Sequence, residues 1–139
     1  MQPQETGKLF VILSKDSEVV DAVREAGRVV LSRLEPLVVP SGQACLSVLG
    51  THRAALLVLD DAVHRGGGPV LLYQIRTRCP RLPILYVASR HNTDLEREVR
   101  EIGAFYYTAK PIDRQVLASL IASVMGLRVM RPDRKQAGG

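Results

Sequence analysis

At 139 residues, 46% of them hydrophobic and 24% charged, the chain has the size and balance of one globular domain and is too apolar to be disordered. No apolar run approaches the ~18–20 residues of a membrane span, the amino terminus has neither the basic start nor the apolar stretch of a secretory leader, and Cys45 and Cys79 fit neither a metal spacing nor a disulfide framework, which points to small core residues in a reducing cytoplasm. The net charge of +5 gathers at the end, where Arg128, Arg131, Arg134 and Lys135 stand against Asp133; the first 125 residues keep only +2, which is no polyanion-binding signature.

Leu9 to Leu13 is an apolar run of strand length, and Asp16 or Ser17 after it offers a helix cap. Val19, Val23, Ala26, Val30 and Leu34 then recur every three or four residues as one helix face, which Pro36 ends. Leu37–Val39 is a short second strand. Gln43–Leu49 is a short helix closed by Gly50. Ala54–Leu59 is a third, fully apolar strand running into Asp60 and Asp61. The loop Gly66–Gly68 leads to a helix with Pro69 at its first position, continuing through Val70, Leu71, Gln74 and Ile75 to about Arg78. Pro83–Ala88 is a fourth strand. Thr93 caps a helix carrying Leu95, Val99 and Ile102, and Gly103 stops it. Ala104–Thr108 is a fifth strand, and Ile112–Met125 a last helix with Val116, Leu117, Leu120, Ile121 and Val124 facing inward. With four Tyr, two Phe and no Trp, the core must be aliphatic.

Five βα units in alternation, with strands apolar throughout, call for a parallel sheet covered on both faces. The expected fold is α/β and flavodoxin-like: a doubly wound, five-stranded sheet in the order 2-1-3-4-5. In such a sheet, ligands bind beyond the carboxyl ends of the strands. Those ends carry Ser14-Lys15-Asp16, Asp60-Asp61, Ala88-Ser89 and Lys110, so a carboxylate and a lysine should meet in one crevice.

These residues resemble the receiver domain of two-component response regulators, of the chemotaxis response regulator type, over about residues 8–125, with 126–139 as a basic linker or tail. The resemblance rests on the Ala55–Asp60 strand, on Gly68 eight residues later, on Gly103-Ala104, on Lys110-Pro111 and on Gly42 with Ala44 and Leu46. It implies a bacterial phosphorelay module and not an enzyme. Asp60 takes the phosphoacceptor position, and Lys110 contacts the phosphate beside a Thr or Ser after the fourth strand. Tyr107 stands at the switch aromatic, with Tyr106 pointing the other way. The Lys110–Pro111 bond is expected to be cis. A carboxylate attacking a phosphoryl group faces dense negative charge, which a magnesium ion and the lysine would offset.

The sequence departs from that pattern at the metal and hydroxyl positions. The acidic pair falls on Ser14-Lys15, and a one-residue slip would bring Asp16 in. The Thr/Ser position falls on Ala88, with Ser89 adjacent. Asp60 and Ala62 are left as the metal positions, so magnesium binding should be weak or absent. Lys15 reads as a built-in cation or a surface lysine, and Asp61, where the family prefers an aliphatic residue, as a substitute metal ligand or a solvated loop residue. His64, where the family usually has proline, and His52 and His91 are scattered and suggest no metal site. The implied partners are a histidine kinase or another signalling protein and a second copy through the face of the fourth helix, fifth strand and fifth helix. No membrane is expected. Nucleic acid would come only through an attached output domain, the basic tail being a weaker route. The alternative is a small-ligand or flavin protein using Ser14-Lys15-Asp16-Ser17 as an anion loop, against which stands the scarcity of aromatic residues.

Overall fold

The computed structural model describes residues 9–30 and 36–124. Five strands, β1 (Leu9–Leu13), β2 (Pro36–Val39), β3 (Ala54–Asp60), β4 (Ile84–Ala88) and β5 (Tyr106–Ala109), form one parallel sheet in the order β2-β1-β3-β4-β5. The helices are α1 (Ser17–Val30), α2 (Gly42–Thr51), α3 (Gly68–Arg78), α4 (Thr93–Ile102) and α5 (Arg114–Val124), and a 3-10 turn spans Asp61–His64. This is the expected doubly wound arrangement.

Strand alternation sorts the core into two layers. Phe10, Ile12, Leu56, Val58, Leu85 and Val87 pack on α1 and α5, which meet them with Val19, Val23, Ala26, Leu117 and Ile121. Val11, Leu13, Leu57, Leu59, Ile84 and Tyr86 face α2, α3 and α4, with Cys45, Leu71, Leu72, Ile75 and Val99 opposite. Cys45 is fully buried. Burial and the nearby Cys79 push its thiol up to about 12, leaving it an inert core group at neutral pH. Cys79 is half-buried against the same layer.

Local boundaries differ from the sequence expectation where a polar side chain reaches past the apolar pattern. Helix α2 runs through Gly50 to Thr51, whose hydroxyl bonds the carbonyls of Ser47 and Val48; it starts at a cap on Ser41, which accepts the Ala44 amide. Asn92, not Thr93, caps α4 by accepting the Leu95 amide. Strand β5 is displaced toward the carboxyl end of the expected run. Helix α5 begins at Arg114, because Asp113 accepts the Gln115 and Val116 amides. Val116 is not inward: it is 46% exposed, while Leu117 and Ile121 hold the buried stripe. Gly103 stops α4 at φ +127°, where a side chain would be strained. Leu34 and the basic tail lie outside the described residues.

Candidate functional site at the carboxyl ends of the strands

The register that pairs Leu13 with Leu59 sets Ser14 level with Asp60, so the first residue after β1 faces the last residue of β3. Ser14 is 2% exposed and donates its hydroxyl to Asp60 Oδ2 at 2.7 Å. Asp60 is fully buried. Its Oδ2 also accepts from Lys110 Nζ at 3.1 Å, and its Oδ1 accepts the Ala62 amide at 3.0 Å, which caps the 3-10 turn. Lys110 follows β5, its amide bonded to the carbonyl of Ala88, and the Lys110–Pro111 peptide is cis.

Asp16 joins from the start of α1 without any slip of register. Its backbone amide bonds Ser14 Oγ at 3.0 Å and its Oδ1 accepts the Glu18 amide. Its Oδ2 accepts from Lys110 Nζ at 2.9 Å. One ammonium thus bridges two carboxylates. The hydrogen bond from Lys110 holds Asp16 below the usual carboxylate range against the opposing effect of burial. Burial pulls Lys110 downward, but its hydrogen bonds to Asp16 and Asp60 outweigh it and leave the ammonium above its ordinary value. Lys15 is exposed and makes no ion pair among the described residues; the cation of this pocket is Lys110.

Asp61 is partly exposed and faces a different set of groups. Its Oδ1 accepts from the Ser89 amide at 2.9 Å and the Ser89 hydroxyl at 2.8 Å, and its Oδ2 from the Tyr86 hydroxyl at 2.9 Å. Burial, then the Asp61 hydrogen bond, raise the Tyr86 phenol well above its ordinary range. The nearest sequence signal was Tyr86 itself, a phenol within an apolar strand that must find a partner when buried. Gly68 makes room for the contact: a Cβ there would collide with the Tyr86 hydroxyl and lie 2.8 Å from Asp61 Cβ.

Ala88 is buried at the end of β4, and its methyl can offer a ligand no hydrogen bond. Ser89 is brought near the pocket, but Asp61 engages both its amide and its hydroxyl. Tyr107 stacks on Tyr86 with ring centroids 6.2 Å apart, and its hydroxyl lies 3.1 Å from His91 Nδ1 and 3.3 Å from the Asn92 amide, which donates to it. Tyr106 points to the other layer, as alternation requires, with its hydroxyl on Ser123.

A magnesium ion would need several hard oxygens free to turn toward it. Here Ser14 stands where a carboxylate would, both Asp60 oxygens accept protein donors, and Asp16 faces Lys110. Among the described residues, no group of three or more His, Cys, Asp or Glu side chains is gathered where it could hold a metal.

The model of the response regulator receiver domain family matches residues 12–122. The chain is 33% identical over 114 residues to the response regulator protein FleR of Pseudomonas aeruginosa, covering 81% of this chain and 24% of the relative. It is 31% identical over 81 residues to the DNA-binding transcriptional regulator NtrC of Klebsiella pneumoniae, covering 58% of this chain and 17% of the relative. It therefore spans a quarter or less of the curated relatives it matches. A response regulator from Thermotoga maritima superposes with a TM-score of 0.75 at 16% identity, covering 86% of this chain and 98% of that one. A receiver domain protein from Methanospirillum hungatei gives 0.73 at 17% identity, covering 95% and 98%. These likenesses favour the receiver reading over the flavin-protein alternative, and the chain belongs to the family of receiver domains of two-component response regulators.

Proposed function

We propose that this receiver works chiefly through protein contacts, with Asp60 at the phosphoacceptor position but poor at accepting phosphate. The observation that carries this is that both Asp60 oxygens are engaged, Oδ2 by Ser14 and Lys110 and Oδ1 by the Ala62 amide. A buried carboxylate needs such partners, and a cation already bonded to it offsets its charge without a metal. Attack on a phosphoryl group would bring further negative charge to a pocket with one ammonium, already shared with Asp16, and with a methyl at Ala88. Loss of one group that stabilises a transition state typically costs ~2.7–4 kcal/mol. Lacking both the metal and the hydroxyl, phosphorylation would be slowed by roughly four orders of magnitude or more.

In this reading magnesium binds weakly, residues 8–125 form the signalling domain and 126–139 are a basic linker or tail. The domain is a signalling module in the cytoplasm and does not turn over a substrate. Its partner is a histidine kinase or another signalling protein, and the α4–β5–α5 face, with Val116 of α5 half exposed, is the surface for contact with that partner or a second copy. No helix among the described residues is long and apolar enough to cross a membrane. Incubation with acetyl phosphate and magnesium, followed by intact-mass measurement, tests the proposal. We expect little or no gain of one phosphate; a prompt, near-complete gain that disappears in Asp60→Asn would overturn it.

A further inference from the structure

Asp60 and Asp61 are neighbours in sequence, yet their side chains share no hydrogen-bond partner. Asp60 binds Ser14, Lys110 and the Ala62 amide; Asp61 binds Tyr86 and Ser89. The second network continues outward. Tyr86 stacks on Tyr107, the Tyr107 hydroxyl meets His91 and the Asn92 amide, and Asn92 caps α4 through the Leu95 amide. A carboxylate accepting three hydrogen bonds is a strong anchor, since bonds to an ionised group are about twice as strong as neutral ones. Two of the three donors belong to the first residue of the β4–α4 loop.

We propose that Asp61 is a positioning residue, a built-in anion that fixes the β4–α4 loop, the start of α4 and the Tyr107 ring whatever the state of Asp60. This deepens the reading of the domain as a contact module: the shape of the face that begins at α4 is set from inside by Asp61. Gly68 belongs to the device, because a side chain there would push the Tyr86 hydroxyl off the carboxylate.

Amide hydrogen exchange followed by NMR on the full chain tests the proposal. In Asp61→Ala the Ser89 amide should exchange roughly tenfold faster or more, given the usual strength of a hydrogen bond to a charged group. The Asn92 amide should follow, while the Asp16 amide keeps its protection. Asp61→Asn should fall between wild type and Asp61→Ala. Asp60→Asn should leave Ser89 and Asn92 unchanged. Retained Ser89 protection in a folded Asp61→Ala, or equal loss in Asp60→Asn, would overturn the proposal. Should Asp61→Ala not fold, Ser89→Ala serves in its place: faster exchange at Asn92 supports the network, and no change there refutes it. Wherever intact mass shows phosphate on Asp60, the Ser89 and Asn92 signals should stay in place, and a shift of both would refute the independence of the loop. Phosphate acceptance by mass without any loop shift would defeat the preceding reading of Asp60 alone and leave this one standing.

Discussion

Two carboxylates stand side by side at the end of β3 and are held in opposite ways. Asp60 is fully buried and bonded to an ammonium, a hydroxyl and an amide; Asp61 lies at the surface of the same crevice and accepts only from neutral donors. For Asp60 the ammonium is what makes burial tolerable, so that pocket is a question of charge balance. For Asp61 solvent shares the work, and its contacts decide where a loop sits more than whether the domain folds. The difference teaches that two adjacent carboxylates can be committed separately, one to a buried charge balance and one to the placement of a loop.

The largest expected effect comes from breaking the charge balance. Lys110→Met should cost about 3–5 kcal/mol, the usual penalty for stranding one member of a buried ion pair. Urea unfolding measures it, and Asp60→Asn added to Lys110→Met should recover a large part, since no buried charge is then stranded. A double variant no more stable than Lys110→Met would show that the pair is not coupled. On the Asp61 side, Gly68→Ala should cost about 1–3 kcal/mol through overpacking against Tyr86 and Asp61. Tyr86→Phe should cost about 1.5 kcal/mol as a lost hydrogen bond to a carboxylate. In a Tyr86→Phe background Gly68→Ala should cost less, because the hydroxyl that the new methyl meets has gone; strict additivity would place the strain elsewhere.

The smallest effect concerns Asp16, whose pair with Lys110 is partly exposed. Asp16→Asn should cost less than about 1 kcal/mol at neutral pH. The sign of its pH dependence is fixed. Asp16 is held below its ordinary value of 3.8, so its contribution is present above that pH and fades as pH falls through the lower folded value. Lys110 is held above 10.5, so its contribution is complete below that pH and fades as pH rises through the higher folded value. Unfolding midpoints of wild type and Asp16→Asn should therefore converge in strong acid; a gap that widened there would reverse the assignment.

The strands were legible because parallel, doubly covered strands are continuous apolar runs, and Leu9–Leu13 and Ile84–Ala88 stand out as such. Asp60 and Lys110 could be brought together from topology alone. The side-chain partnerships were less accessible. Ser14 and Asp16 both enter the pocket, one through strand register and one as a helix cap, and spacing along the chain does not show that the two act together. The role of Asp61 depends on Tyr86 and Ser89, 25 and 28 residues away, and no spacing along the chain encodes which of two adjacent carboxylates turns toward β4. Val116 was misplaced because the apolar stripe of α5 is narrower than its run of apolar residues.

The central proposal is that Lys110 and Ser14 already engage Asp60, so that magnesium binds weakly. Titration with magnesium, followed through the Ala62 amide that donates to Asp60 and the Asp16 amide that donates to Ser14, tests it most directly. We expect shifts that are small and do not saturate at low millimolar magnesium; saturable shifts of both amides in that range would contradict the claim.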